Sequence, residues 1–445
     1  MGEPWYRGAT RGQWLALAAA LLGWMFDGFE QGIFPQVMRP ALIEILDLKE
    51  SAAVAVDKSV SEDVQKAAKK EIDSRVLPWY GYITAAFLVG AAFGGWSFGW
   101  LGDRIGRVRA MMLSVLAYSI FTGLCGLAET GLQLVGLRFM AALGMGGEWA
   151  LGVALVMESW RPHARPVLAG LIGAAANVGI MLAAVLVLTV ESAGIKIADG
   201  NWRYVLGACA LPALLTFFIR MFVPESAKWE AASKSGPKPS MVEIFKGSMW
   251  KRTIPAALIC SFALLGTWSS VQWISPWVNQ VTGQQKMATY AQFCSGGGAV
   301  VFALFAAILG AKVSRRWGYF TLAVGAFVVC QFLFRSYEGT KEIDTMFFVT
   351  VFFVGGLTAS FYGWFPLYLP ELFPTRLRAT GQGFCFNIGR LIAAVGAIYA
   401  GWLTGPNGPF PGNYAAMGAT LSMIYLVAMV VCWFAPETKG KPLPE

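Results

Sequence analysis

A chain of 445 residues that is 56% hydrophobic and only 14% charged, with a mean hydropathy of +0.55, carries far more apolar surface than one water-soluble core can bury. This excludes a soluble globular domain and points to a polytopic membrane protein. The formal charge of +9 does not indicate a nucleic-acid partner, because the basic residues fall in short clusters between apolar runs rather than on one patch.

Runs of about 20 apolar residues, enough to cross a hydrocarbon layer as helix, are expected at 13–36, 79–101, 108–128, 132–157, 167–190, 204–223, 253–280, 290–312, 318–335, 345–368, 380–404 and 413–434. The first holds the stretch GWMFDGFEQGIF, residues 23–34, with Asp27 and Glu30 inside it. A charge at the centre of a bilayer helix costs roughly 2.5 to 3.5 kcal/mol on insertion scales, so two carboxylates there imply a purpose. Their spacing of three puts both on one helix face. Burial disfavours a charged carboxylate and a neighbouring Arg favours it, so substrate and conformation can tune protonation, as a proton-coupling site requires. The alternative is a fixed ion pair of Asp27 or Glu148 with Arg138 or Arg390. The run is too long for a cleavable signal peptide, and Tyr6 stands where a myristoylation start at Gly2 needs Ser or Thr.

Next comes a polar, nearly charge-balanced insert, residues 47–78, expected as an amphipathic helix capping the first outer loop. The loop after the second run is basic, with Arg104, Arg107 and Arg109. So are those carrying Arg161 and Arg165, Lys251 and Arg252, Arg315 and Arg316, and Arg376 and Arg378. All lie on one side, which the positive-inside rule assigns, with both termini, to the cytoplasm. In the fourth run, Glu148 lies ten residues, about 15 Å of helix, before Glu158, near the midplane; Arg138 lies nearer the outer end and suits a gate. A polar stretch at 226–252, containing SKSGPKPS, reads as a cytoplasmic linker. The seven cysteines have no close pairing, and the only histidine, His163, falls in a loop, so no disulfide framework, metal site or cofactor is expected.

The two sides of the linker repeat. VPES at 223–226 matches APET at 435–438; Glu158 and Arg165 match Glu371 and Arg378; DRIG at 103–106 is matched with RRWG at 315–318; NVGIMLAAV at 177–185 matches NIGRLIAAV at 387–395. The chain therefore reads as an all-α membrane protein of twelve transmembrane helices in two six-helix units, residues 1–225 and 253–445, with a substrate site between them at midplane depth. The repeat also serves as a control. Glu148 aligns with Phe361, Arg390 with Ile180 and Arg138 with Val351, so the fold tolerates apolar residues at all three charged positions. Arg390 offers a planar fork that matches a carboxylate and cannot deprotonate, which suits a fixed anion-binding role. Polar groups at similar depth are Gln31, Asn177, Gln272 and Asn387, and central aromatics including Phe29, Trp268, Tyr362 and Trp364 suit a ring-bearing organic acid.

GWLGDRIGRVRA at 99–110 resembles the loop signature of the major facilitator superfamily, with Val108 where a basic residue is usual. The resemblance implies the major facilitator fold, a monomer, and a latch of Gly99, Asp103, Arg104, Gly106 and Arg107 that releases during alternating access. PES, PET with KG, and the Glu-to-Arg loops resemble the sugar-porter and organic-ion branches. RFMAALGMGGEW at 138–149 with MESWRPHAR at 157–165 looks more like the sialate and monocarboxylate proton symporters, and DGFE at 27–30 is similar to the first-helix element of aromatic-acid proton symporters. Together these imply symport of an organic carboxylate with protons across the inner membrane: Asp27 is the leading proton carrier, Glu148 a relay, Glu30 a tuning group and Arg390 the anion site. A sugar porter or an uncoupled facilitator is the alternative. No phosphate-binding loop or catalytic constellation argues for a pump or an enzyme.

Overall fold

The computed structural model describes residues 4–57, 59–194, 197, 200–340, 342–404 and 408–445; Gly2 and, in the insert, Lys58 lie outside them. The described chain is helical throughout, with no strand. In hydrocarbon every backbone N–H and C=O must be satisfied within its own segment, which leaves helices as the solution for apolar runs of this length. The result is the twelve-helix, two-bundle architecture expected from the repeat. Ten helical segments among the described residues are long and apolar enough to cross a membrane; the first helix, Arg11–Ile45, is not one of them. It starts at a Thr10–Gln13 capping box and continues through Pro35 and Pro40.

The insert departs from expectation. Instead of a separate capping helix, Lys49–Val56 folds against the first turns of Glu62–Ile105, a single 44-residue helix that carries straight on through Pro78 into the second span. Leu48, Ala55, Ala68, Ile72 and Val76 pack with Ile33, Val37, Leu42 and Trp202, so the insert extends the core of the first bundle away from the basic loops.

The two halves also differ in continuity. Spans in the first half are unbroken, whereas the seventh is interrupted at Val271–Trp273, the tenth divides into Thr345–Ala359 and Phe361–Tyr368, and the eleventh into Arg378–Asn387 and Gly389–Leu403. Ser360 and Ile388 keep right-handed helical angles, so the tenth and eleventh spans loosen there without ending.

Small residues set the packing. A Cβ on Gly28 would lie 2.0 Å from the Ala176 carbonyl oxygen, and one on Gly179 would lie 1.8 Å from that of Met25, so the first and fifth helices touch backbone to backbone. Gly28→Ala must push these helices apart and is expected to cost about 1–3 kcal/mol, read as a lower unfolding temperature of the purified protein. Between the halves, the second-span helix meets the eleventh where Gly383 faces the Gly95 carbonyl, and the fifth meets the tenth at Gly173 and Gly363. The largest apolar core runs across this boundary, including Trp24 and Trp149 from the first half and Phe361, Phe365 and Phe386 from the second.

Candidate functional site

Six charged side chains are buried near the middle of the bundle. The first helix supplies Asp27 and Glu30, the fourth (Gly131–Ser159) Arg138 and Glu148, the sixth (Asn201–Arg220) Arg220, and the eleventh Arg390. Glu30 and Arg138 form a two-pronged ion pair, with Arg138 Nη2 3.1 Å from Glu30 Oε2 and Nη1 bonded to Oε1. The Arg138 guanidinium is held over the rings of Phe34 and Phe87, 3.7 and 4.5 Å from their centroids. Glu148 accepts from Arg220 Nη2 at 2.5 Å, and Arg220 also donates to the carbonyls of Ala19 and Met111. Gly23 makes room for this pair: a Cβ there would sit 1.7 Å from Glu148 Oε1.

Asp27 and Arg390 are different. Asp27 is 0% exposed and neither of its oxygens has a hydrogen-bond partner; Arg390 is 5% exposed, its Nε has no partner, and among the described residues it makes no ion pair. They come from opposite halves and lie within each other's electrostatic field. The fixed pairs considered from sequence, Asp27 or Glu148 with Arg138 or Arg390, are not the ones present. Sequence reasoning missed Arg220 because it sits at the end of its span, beside VPES, where a basic residue looks interfacial. The repeat control would have found it, since its counterpart at the PES-to-PET offset is Cys432.

The neighbouring polar residues divide. Tyr362 lies beside Arg390, Thr267 and Trp268. Gln31 is half-buried with its amide 3.9 Å from Met145 Sδ, and Asn177 is half-buried with no side-chain hydrogen bond. Asn387, its repeat partner, is buried and donates to the carbonyls of Gly383 (2.9 Å) and Gly146 (3.3 Å), tying the eleventh helix to the fourth. Gln272 is exposed on the turn that interrupts the seventh span. Trp364 does not join the cluster: it is packed inside the second bundle against Tyr319 and Tyr368, with ring centroids 5.3 and 4.5 Å away.

Aromatic rings floor the site. Phe386, one helical turn before Arg390, stacks on Trp149 at 3.8 Å and 12°, and Trp24, Tyr362 and Phe365 stand around it at 6.0 to 6.2 Å. These rings come from both halves: Trp24 and Trp149 from the first, Tyr362, Phe365 and Phe386 from the second. Phe386→Ala removes a side chain that is 1% exposed and is expected to cost roughly 3–5 kcal/mol, measurable as a large drop in thermal stability.

On the basic face a network of hydrogen bonds and ion pairs joins the halves. Asp103 accepts from the backbone N–H of Ala379 (3.2 Å) and Thr380 (2.8 Å), from the Thr380 hydroxyl (2.6 Å) and from Arg107 (2.7 Å). Glu158 accepts from Arg107 (3.1 Å), from Arg378 of the other half (2.8 Å) and from Ser226. Arg107 also donates to the Thr375 carbonyl at 2.6 Å. Gly99 lets the second and eleventh helices meet, since a Cβ there would lie 2.4 Å from the Ala379 oxygen; Gly106 combines φ of +112° with the Glu225 carboxylate 2.3 Å from where its Cβ would be. Arg104 is exposed, lying over the Trp100 ring at 5.1 Å. Trp96 and Trp100 donate to the linker carbonyls of Met241 and Pro239, strapping residues 238–246 across this face.

The second half repeats part of this. Arg315 pairs with Glu371 at 2.6 Å and Thr438 donates to Glu371 at 2.6 Å, as Arg107 and Ser226 do to Glu158. Arg107 and Arg315 each donate to the carbonyl five residues earlier, Gly102 and Gly310. This corrects the loop register. Arg107 corresponds to Arg315, so DRIG matches 311–314 and not RRWG, and the counterpart of Asp103 is Ala311. Asp103, which binds Ala379 and Thr380 of the other half, thus has no carboxylate counterpart in the second half. Burial pushes the Glu437 carboxyl up, but the N–H groups of Lys439, Arg315 and Arg316 outweigh it and hold it below the usual range. A depressed carboxylate contributes its stability above its unfolded value, and loses it only as pH falls through the lowered folded value. Burial holds Glu225 above the usual range.

The family described as sugar (and other) transporter matches residues 49–445. The chain belongs to that family. The transporter is 28% identical over 438 residues to a probable 4-methylmuconolactone transporter of Cupriavidus pinatubonensis, covering 98% of this chain and 93% of that protein. It is 28% identical to the cis,cis-muconate transport protein of Acinetobacter baylyi (81% and 86% covered) and 24% identical to the sialic acid transporter NanX of Escherichia coli (99% and 98% covered). The major facilitator superfamily proton:xylose symporter XylE shares its fold, with a TM-score of 0.72 at 17% identity over 97% of both chains. The transporter is therefore a multi-pass membrane carrier of this superfamily and not an enzyme.

Proposed function

We propose that the transporter is a proton-coupled symporter of an organic carboxylate. The observation that carries this is the unclosed pair: a buried acid, Asp27, and a buried guanidinium, Arg390, come from opposite halves, and among the described residues neither makes an ion pair and neither the Asp27 oxygens nor Arg390 Nε has a hydrogen-bond partner. Left in hydrocarbon, both are costly unless something arrives to satisfy them. A carboxylate satisfies the Arg390 fork, and a proton satisfies Asp27. Glu148, held by Arg220, relays protons; Glu30, held by Arg138, tunes Asp27, and Arg138 gates from the outer side. Tyr362, Gln31 and Asn177 border the substrate, and the aromatic floor receives its carbon body. Asn387 acts at this boundary by tying the halves, Gln272 is exposed on the seventh-span turn, and Trp364 packs inside the second bundle.

Two bundles, residues 1–225 and 253–445, joined by the linker at 226–252, rock about this site in a monomer. The basic face is cytoplasmic, with both termini, in the cell inner membrane. The latch of Gly99, Asp103, Arg104, Gly106 and Arg107 holds that face together and releases to discharge substrate. Carboxylate-carrying relatives support the substrate class, and an arginine with no acid partner favours an anion over a neutral sugar. Uptake into proteoliposomes of a panel containing benzoate, sorbate, N-acetylneuraminate and xylose tests it: acids are expected to enter and xylose to be excluded. Xylose uptake without acid uptake would overturn the reading.

A further inference from the structure

Counting the buried charge gives a sharper result. Away from the basic face, the spans bury three acids (Asp27, Glu30, Glu148) and three bases (Arg138, Arg220, Arg390) among the described residues. Glu30 with Arg138 and Glu148 with Arg220 are closed pairs, all within the first bundle. What remains is one negative group on the first bundle and one positive group on the second, touching neither each other nor any other charge. The elements packed around Asp27 add nothing to the sum. Its own helix brings Glu30, the fourth Arg138 and Glu148, the sixth Arg220 and the eleventh Arg390; the second, third, fifth and tenth bring only the uncharged Tyr80, Tyr118, Asn177 and Tyr362.

From this balance we propose that the site takes one anionic charge per proton, so that the transporter carries monoanions electroneutrally and rejects dianions. The inference rests on the carboxylate reading above and deepens it. In the empty carrier, ionised Asp27 offsets Arg390 across the boundary and the midplane sums to zero. A monocarboxylate docking on Arg390 adds one negative charge. A proton taken from the outer solution forms an O–H bond on Asp27 and returns the sum to zero. On the inner side that O–H bond breaks, the proton goes to water and the anion leaves with it. Both forms that cross are neutral at the midplane, so the membrane potential does no work on either. A dianion brings a second negative charge for which no buried base is left, and an uncompensated charge in low dielectric is strongly disfavoured.

Sorbate and cis,cis-muconate make a matched test, because both are six-carbon dienes and differ by one carboxylate. Uptake of each is measured in proteoliposomes holding the wild-type protein, after subtraction of protein-free liposomes, with a valinomycin-set potassium potential and a proton gradient imposed separately. The expected result is sorbate uptake driven by the proton gradient and unchanged by the potential, with muconate slower by about tenfold or more. Sorbate uptake that responds to the potential at fixed pH, or muconate carried as fast as sorbate, would overturn the inference while leaving the carboxylate reading intact. Failure of every acid alongside uptake of xylose would mark failure of that reading instead. In Asp27→Asn the empty carrier keeps an unbalanced Arg390, so residual uptake is expected to become sensitive to the potential, a change that a merely structural role for Asp27 does not produce. If this variant is inactive, the wild-type comparison decides alone.

Discussion

Arg390→Ala is expected to lose carboxylate uptake while the protein remains folded in detergent. Truncating one member of a buried charge-assisted contact costs roughly 2–5 kcal/mol, which is about 30-fold to several-thousand-fold in affinity or rate. The cost falls on the anion because the guanidinium has no protein acid to lose: among the described residues it makes no ion pair, and its Nε has no partner. The loss should therefore exceed the effect on thermal stability. Arg390→Lys restores charge without the planar fork and is expected to recover only part of the uptake, since an ammonium on a flexible stem does not reproduce bidentate recognition. Wild-type uptake by Arg390→Ala would remove the arginine from the substrate site.

Glu158→Gln is expected to weaken the closed conformation more than any other single change on the basic face. Its carboxylate receives Arg107 and Arg378, one from each half, and all three side chains are buried. Breaking a buried pair by neutralising one partner typically costs about 3–5 kcal/mol because it strands a charge; here the stranded charge is Arg378, since Arg107 keeps its ion pair with Asp103. The predicted readouts are a lower unfolding temperature and faster hydrogen–deuterium exchange over residues 375–387, where the halves meet. Glu371→Gln is the comparison. Its bonds, to Arg315 and Thr438, stay within the second half, so it should destabilise without opening the interface. Equal acceleration of exchange in both variants would contradict the assignment of the latch to the Glu158 side.

Much of this was legible in the sequence, for a physical reason in each case. Charges in an apolar run are conspicuous because they are costly, which is why Asp27, Glu30, Glu148, Arg138 and Arg390 stood out and all proved buried. The tandem repeat, together with run length, led to the twelve-helix architecture. What could not be read is rotation about a helix axis: Trp364 lies at a suitable depth, yet it faces the interior of its own bundle, against Tyr319 and Tyr368. Local loosening of the spans was also hidden, because hydropathy reports side chains and the changes near Ser360 and Ile388 are backbone events in unbroken apolar text. The loop register was misread because a four-residue match took precedence over a shorter offset, which only the shared Arg-to-carbonyl bonds at Gly102 and Gly310 reveal. Arg220 was overlooked through its position at a span end, although the helix packs it inward onto Glu148.

In the proposed mechanism anion and proton move together. The direct measurement adds a carboxylate from the panel to de-energised proteoliposomes and follows external pH with a membrane-impermeant dye. Coupled entry predicts alkalinisation of the external medium that depends on the protein, is abolished by a protonophore and is lost in Asp27→Asn. Protein-dependent uptake of the acid with no accompanying proton movement would contradict it.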